Sequence, residues 1–150
     1  AGAELSPIAV EQLFHELGLV PVITQLENLQ HYSAHNIDIF VGDIFNLSSR
    51  LLGEVDAIYD RAALVALSNE VRKKYTAHLK LITRYAKQLL ICFEYDQSQL
   101  AGPPFSIPDL EIKAHYNEDY SLALLESAEV IGKLKGQCTA YEKVWLLLKK

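Results

Sequence analysis

The sequence has few of the features that mark metal centres or covalent catalysts. It contains only two cysteines, Cys92 in an apolar run and Cys138 in a polar stretch, and their spacing matches no zinc or redox motif. The five histidines are dispersed, and neither a paired metal-ligand motif nor a nucleophile-elbow sequence occurs. We therefore expect two reduced thiols, no metal site and no covalent enzyme intermediate.

Basic charge and long apolar runs are scarce as well. Lys and Arg number 14 against 19 Asp and Glu, the net charge is -5, and the longest basic cluster is the trio from Arg72 to Lys74. Such a surface does not attract a phosphate backbone. No apolar run reaches the roughly 18 residues of a membrane span, and no signal peptide is recognisable. We expect no nucleic-acid partner, no membrane contact and a cytoplasmic location.

The features that are present suit one soluble α/β domain spanning residues 1–150. Half of the residues are apolar and 22% are charged, and β-prone runs alternate with amphipathic ones. The patterns predict strands ending at Glu4 and covering 37–41, 55–59, 88–95, 121–127 and 141–148, helices after Ser6-Pro7 and over 70–85 and 108–116, and an irregular segment over 19–35 that could hold a hairpin. This order predicts a doubly wound sheet whose last two strands form an antiparallel closing pair.

Acidic residues follow several of the predicted strands. Glu4, Asp43 and Asp60 each come after a β-prone run, and ligands of open α/β sheets bind outside the carboxyl ends of the strands. A carboxylate at such a position can accept hydrogen bonds from both hydroxyls of a ribose. For Glu4 the alternative is an acid stabilised by the dipole of the following helix. The acids together favour a nucleotide-like ligand.

The stretch Val55–Leu67 brings an acid and a base together. Asp60 and Arg61 stand between a β-prone run and a second apolar run. At a strand end both could face a ligand. The alternative is an ion pair on the surface of a turn, which needs no function.

Six short segments resemble the thiopurine methyltransferase family, in matching order and over nearly the whole chain. They are Glu4-Leu5-Ser6, Glu11-Gln12-Leu13-Phe14, Gly42-Asp43-Ile44-Phe45, Asp60-Arg61-Ala62-Ala63-Leu64, Glu94-Tyr95-Asp96-Gln97 and Gly102-Pro103-Pro104-Phe105. The resemblance implies a Rossmann-like class I methyltransferase fold. It also implies transfer of a methyl group from S-adenosylmethionine to sulfur, or in bacterial members to selenium or tellurium species.

The resemblance also implies roles for particular residues. Glu4 would hold the ribose hydroxyls of the cofactor, and Asp43 and Ile44 would flank its adenine. Arg61 would touch both cofactor and acceptor, and we expect its charge to stabilise a thiolate during transfer. Asp60 would position Arg61 or nearby backbone. The remaining predicted contacts with the small-molecule acceptor are Tyr95, Asp96 and Phe105.

The front of the family sequence has no counterpart in this chain. Family members carry a helix, a first strand and a glycine-bearing loop before the segment that matches Glu4, and the loop cradles the methionine half of the cofactor. The missing strand would lie between the strands of Glu4 and Asp60 and leave both without a neighbour. We therefore expect a fragment, or a chain completed by another molecule, that binds the cofactor weakly. The stretch 131–136 also lacks an arginine, so any acceptor contact that other members make from that loop is not expected here.

Two other functions fit the same residues. A dehydrogenase domain shares the acid that binds a ribose, so nicotinamide cofactor binding would favour it. A non-catalytic fragment would keep the family sequence without the activity. The sequence names neither the methyl acceptor nor the oligomeric state.

Overall fold

The computed structural model describes residues 1–150. The chain divides into two compact units, Ala1–Gly53 and Glu54–Lys150. Each unit contains its own four-stranded sheet. The mixed α/β class, with parallel and antiparallel strands, is the predicted one and is consistent with a class I methyltransferase fold.

The first unit is a sheet with one long helix. Its strands are β1 (Gly2–Glu4), β2 (Val22–Leu26), β3 (Leu29–Ala34) and β4 (Ile37–Val41), and its helices are α1 (Pro7–Glu16) and the short α2 (Ser49–Leu52). The sheet order is β1-β4-β3-β2. Strand β1 pairs parallel with β4, and the other pairs are antiparallel.

Helix α1 begins where the sequence predicts. The Ser6 hydroxyl accepts a hydrogen bond from the Ala9 amide at 3.3 Å, and Pro7 occupies the first helical position. Val10 and Phe14 are the helix residues that are buried, against Tyr32 and Val41 of the sheet. The apolar side chains Ile8, Leu13 and Leu17 in and after the same helix stay exposed.

The prediction of an irregular segment over 19–35 was wrong, although the hairpin that it allowed is present. Strands β2 and β3 occupy most of that segment, and β3 turns directly into β4. The two strands were not predicted because polar side chains interrupt the apolar alternation that marks a strand. His31 on β3, for example, contacts the Asp38 carboxylate on β4 at 2.8 Å and stacks on Phe40. Cross-strand pairs of this kind stabilise a hairpin that has few alternating apolar residues.

The second unit contains the remaining strands and two longer helices. Its strands are β5 (Ala57–Arg61), β6 (Lys87–Tyr95), β7 (Tyr120–Glu129) and β8 (Ala140–Lys149), and its helices are α3 (Asn69–Ile82) and α4 (Asp109–Tyr116). The sheet order is β5-β6-β8-β7, with β5 parallel to β6. The antiparallel closing pair β7 and β8 is confirmed.

One face of this second sheet carries the core of the unit. Alternate residues of β6 and β8 are buried, as a strand period of two requires: Gln88, Leu90, Cys92, Trp145 and Leu147. The helices supply Tyr75, Leu79, Ile82, Ile112 and Tyr116. Both cysteines are buried free thiols, as predicted.

The strands that carry Glu4 and Asp60 are both edge strands. Strand β1 ends the first sheet and β5 ends the second, and each has one parallel partner. The prediction that these two strands lack a neighbour on one side is confirmed. Separately, no helix of the structure has the length and apolarity needed to cross a membrane.

Truncating Leu90 to Ala should destabilise the second unit severely. Its side chain is fully buried in β6, so the substitution leaves a cavity that costs about 2–5 kcal/mol of unfolding free energy. The matched control is Leu110→Ala on α4, because Leu110 is 78% exposed and should change that energy by less than about 0.5 kcal/mol. Urea denaturation measures both, and equal effects would contradict the assigned core.

Candidate functional site

Two of the predicted cofactor residues, Glu4 and Asp43, lie at the same end of the first sheet. Parallel pairing places Glu4 opposite Val41, and Asp43 follows Val41 by two residues. The Gly42 amide donates to the Glu4 carbonyl at 2.9 Å, which ties the two strand ends together. Glu4 and Asp43 therefore both lie at the carboxyl ends of the neighbouring parallel strands β1 and β4.

The exposed carboxylate of Glu4 is partly engaged by the chain itself. Its Oε1 accepts a hydrogen bond from the Ser6 amide at 2.9 Å. This bond fixes the side chain at the start of α1, where the helix dipole also favours a negative charge. The second oxygen, Oε2, is left for a ligand. The two interpretations of Glu4 are thus compatible, because a dipole-stabilised carboxylate can still accept ribose hydroxyls.

Asp43 and Ile44 lie at the start of a short 3-10 helix over Ile44–Asn46. The Asp43 carboxylate accepts from the Phe45 amide at 3.0 Å and caps that helix. Asp43 is exposed, and Ile44 is half-buried. The pair offers a carboxylate and an adjacent apolar side chain, which is a combination that suits a purine ring and its amino group.

Asp60 does not face a ligand at a strand end as the sequence suggested. It lies inside β5 and is 3% exposed. Its Oδ2 accepts from the Tyr75 hydroxyl at 2.9 Å and from the Gln88 amide at 3.2 Å. Burial raises the pKa of Asp60 to about 6, against hydrogen bonds that lower it. The carboxyl fastens edge strand β5 to α3 and β6.

Arg61 points to the opposite face of β5, because successive strand residues alternate. Its side chain is 60% exposed, and its nearest carboxylate is that of Glu142 at 3.9 Å. Asp60 and Arg61 thus form no ion pair with each other. The following residue, Ala62, has a φ of +68°. That left-handed backbone is unfavourable for any residue with a Cβ, and it turns the chain sharply after Arg61.

Tyr95 lies inside the second unit, with 9% of its surface exposed. Its hydroxyl donates to the Pro104 carbonyl at 2.6 Å and accepts from the Gln97 amide at 3.0 Å. Tyr95 is therefore hydrogen-bonded to the loop Gly102–Phe105. Its role as an acceptor contact stays a prediction, and through this bond it also shapes the loop.

Asp96 is exposed and is held by its own turn. Its carboxylate accepts hydrogen bonds from the Ser98 amide at 3.0 Å, from the Ser98 hydroxyl at 2.7 Å and from the Gln99 amide at 3.1 Å. These bonds, led by the Ser98 side chain, lower the pKa of Asp96. The carboxylate is therefore ionised at neutral pH, and its predicted contact with the acceptor stays untested.

Phe105 is half-buried and closely fitted. Its amide donates to the Val65 carbonyl at 2.6 Å. The ring lies against Gly102, where an added Cβ would come within 2.6 Å of the Phe105 Cδ1 atom. Arg72 is a residue of α3, and its guanidinium lies 5.8 Å from the centroid of the Phe105 ring. Gly102 and Arg72 together restrict where this ring can go.

Arg72 is a structural participant that the sequence interpretation missed. The sequence places it in a basic cluster, yet it is 5% exposed and donates a hydrogen bond to Glu111. A signal was available, because Arg72, Tyr75, Leu79 and Ile82 follow helical spacing along one face. Charge alone argued against burial. The described residues contain no group of three or more His, Cys, Asp or Glu side chains placed to hold a metal ion.

The comparisons with known proteins all identify the same family. The family model described as thiopurine S-methyltransferase matches residues 1–150. The thiopurine S-methyltransferase of Xanthobacter autotrophicus is 56% identical over 98% of this chain and 69% of its own length. Those of Teredinibacter turnerae and Gluconobacter oxydans are 50% and 48% identical over 97% and 96% of this chain. The chain spans 69%, 68% and 66% of these three relatives.

Asp60 should make stability depend on pH in an unusual direction. The pKa of Asp60 rises from 3.8 to about 6 on folding, so between these values the native state binds the extra proton. The free energy of unfolding should therefore fall as the pH rises through that window, by up to about 3 kcal/mol. Asp60→Asn should abolish this fall and be more stable than the original protein at pH 7.

Urea denaturation between pH 4 and 7 measures the effect. The control is Asp96→Asn, because the pKa of the exposed Asp96 is lowered and its removal leaves the fall in place. If the free energy of unfolding changed with pH in the same way in the original protein and in Asp60→Asn, the raised pKa of the buried Asp60 would be contradicted.

Proposed function

The chain belongs to the thiopurine S-methyltransferase family, and from this membership we propose that it takes part in methyl transfer from S-adenosylmethionine to a sulfur acceptor of the aromatic thiol or thiopurine class. The supporting observation is the pair of exposed carboxylates, Glu4 and Asp43, at the carboxyl ends of neighbouring parallel strands. A carboxylate at this position is the group that nucleoside cofactors require for their ribose.

The residues of the first unit fit the adenosine half of S-adenosylmethionine. Glu4 is oriented by the Ser6 amide and keeps Oε2 for the ribose hydroxyls. Asp43 and the neighbouring Ile44 suit the adenine, since one accepts hydrogen bonds and the other offers an apolar surface. The cofactor supplies an electrophilic methyl group on a sulfonium centre.

The residues of the second unit fit the methyl acceptor. A thiol reacts best as its thiolate, and Arg61 is an exposed cation whose only close carboxylate, that of Glu142, lies 3.9 Å away. Such a surface pair is weak, so the guanidinium can turn to an anionic acceptor. Phe105 offers an aromatic face of the kind on which a planar acceptor stacks. Selenolate and tellurolate acceptors would use the charge of Arg61 in the same way, because they too are soft anions.

Incubation of the protein with methyl-labelled cofactor and a panel of aromatic thiols, aliphatic thiols and an aromatic selenol tests this function. Methylated aromatic thiols, detected by mass spectrometry, would support it. Cofactor binding with no methyl product from any acceptor would favour a non-catalytic fragment. Binding of a nicotinamide cofactor instead would favour a dehydrogenase domain.

Replacing Glu4 by Ala should weaken binding of S-adenosylhomocysteine by about tenfold or more, because a charge-assisted hydrogen bond to the ribose contributes about 1.5–3 kcal/mol. Calorimetric titration measures the dissociation constant. The control is Glu11→Ala, which removes an exposed carboxylate from α1 and should leave binding unchanged. Equal binding by all three proteins would remove Glu4 from the cofactor site.

Replacing Arg61 by Ala should lower kcat by about tenfold to a hundredfold, while the dissociation constant of S-adenosylhomocysteine changes less than about threefold. Arg61→Lys should recover part of the rate, since the positive charge remains. Lys87→Ala is the control, because Lys87 begins β6 at the opposite end of the same strand pair. An unchanged kcat in Arg61→Ala would exclude the proposed role.

A further inference from the structure

We propose that Arg72 is a positioning residue that holds the Phe105 ring in a fixed place relative to the turn following Arg61, and thereby orients the methyl acceptor. The proposal rests on the function proposed above for the acceptor side. Its structural part, the coupling of loop and turn through Arg72, can be tested without any activity.

Arg72 is itself rigidly anchored. Its Nε and Nη2 atoms donate to the two carboxylate oxygens of Glu111 at 2.6 and 3.2 Å. Glu111 lies on α4 and is held further by His115 at 3.3 Å, whose other ring nitrogen contacts Thr76 at 3.3 Å. A two-point pair of this kind fixes the plane of the guanidinium as well as its position. With Arg72 only 5% exposed, water cannot substitute for these bonds.

The third guanidinium nitrogen of Arg72, Nη1, binds the turn that follows Arg61. Its Nη1 donates to the Leu67 carbonyl at 2.7 Å. Leu67 ends the 3-10 helix Leu64–Ala66, which begins three residues after Arg61. The end of this turn is thus fastened to the same guanidinium that pairs with α4.

The same guanidinium also meets the loop that carries Phe105. The Phe105 ring centroid lies 5.8 Å from it, and the ring also lies so close to Gly102 that a Cβ there would come within 2.6 Å of Phe105 Cδ1. The Phe105 amide donates to Val65 in the 3-10 helix at 2.6 Å. Arg72 therefore contacts both segments that this bond joins, the loop at the Phe105 ring and the turn at the Leu67 carbonyl.

The chemistry of arginine explains why this residue type occupies the position. A planar guanidinium can pair with a carboxylate on one edge, donate to a carbonyl from another nitrogen and present its face to an aromatic ring. A lysine has the charge, but its single ammonium cannot meet all three requirements at once. Arg72→Lys therefore removes the coupling while keeping the positive charge beside Glu111.

Lys80 provides a matched control. It lies on the same helix, and its ammonium donates to the Asp119 carboxylate at 2.6 Å and to the His115 carbonyl at 3.2 Å. It thus joins α3 to the α4 region as Arg72 does. It has no bond to Leu67 and no contact with Phe105, so Lys80→Met loses a comparable link without touching turn or loop.

The first experiment is amide hydrogen exchange on the full chain. In Arg72→Lys we expect the Phe105 amide to exchange at least tenfold faster, with unchanged protection in β6 and β8. Lys80→Met should leave the Phe105 amide as it is in the original protein. Unaltered exchange at Phe105 in Arg72→Lys, or the same acceleration in both variants, would overturn the proposal.

The second experiment is a kinetic cycle with Phe105→Leu and an aromatic thiol as acceptor. Arg72→Lys and Phe105→Leu should each raise the acceptor KM and lower kcat/KM by about tenfold, and the double variant should lose little beyond either one, because both remove the same positioning. Lys80→Met combined with Phe105→Leu should lose only what Phe105→Leu loses. Multiplicative losses for the Arg72 pair would overturn the proposal.

The two experiments separate this inference from the proposed function. If no acceptor is methylated by the original protein, the proposed function fails and with it the orientation of an acceptor. The exchange result still decides whether Arg72 couples the loop to the turn.

Discussion

The alternation of side chains along β5, fixed by its parallel pairing with β6, is the constraint on which the second unit depends. The register sets Asp60 opposite Leu90 and Arg61 opposite Ile91. Two adjacent charged residues are thereby sent to opposite environments. Asp60 enters the interior and joins the edge strand to α3, while Arg61 remains exposed. A slip of one residue would exchange these environments and bury a guanidinium without a partner.

Arg72 and Asp60 of the second unit are both buried, and their hydrogen-bond partners differ in charge. Arg72 has a full counter-charge in Glu111, so its burial is compensated by a two-point ion pair. Asp60 receives only neutral donors, from Tyr75 and Gln88, and burial consequently raises its pKa. Asp60 directly precedes Arg61, and Arg72 contacts Phe105, the two residues proposed for the acceptor. The polar interior therefore holds the Arg61 turn and the Phe105 loop in place.

The two edge strands show how the candidate residues are distributed. Glu4 ends β1 in the first unit, and Arg61 ends β5 in the second. Both strands are parallel to their single neighbour, and each presents one unpaired row of backbone groups. Glu4, proposed for the cofactor, and Arg61, proposed for the acceptor, thus each end the edge strand of their own unit.

The sequence by itself determined what depends on neighbouring residues. Ser6-Pro7 started α1, the apolar run Leu89–Phe93 formed β6, and the acids after the strands were recognisable because helix caps and strand ends are local signals. Local signals also singled out Glu4, Asp43 and Asp60, although Asp60 is buried inside β5.

Only the tertiary structure decided the features that depend on distant contacts. The β2–β3 hairpin shows no clear hydrophobic alternation, and β3 is paired on both sides, with β2 and with β4. The burial of Asp60 follows from a register, which no short segment contains. Arg72 becomes a positioning residue through Glu111, which lies 39 positions away in the chain. An ionic side chain is buried only where its partner is delivered by the fold, because without that partner its desolvation would exceed what burial returns.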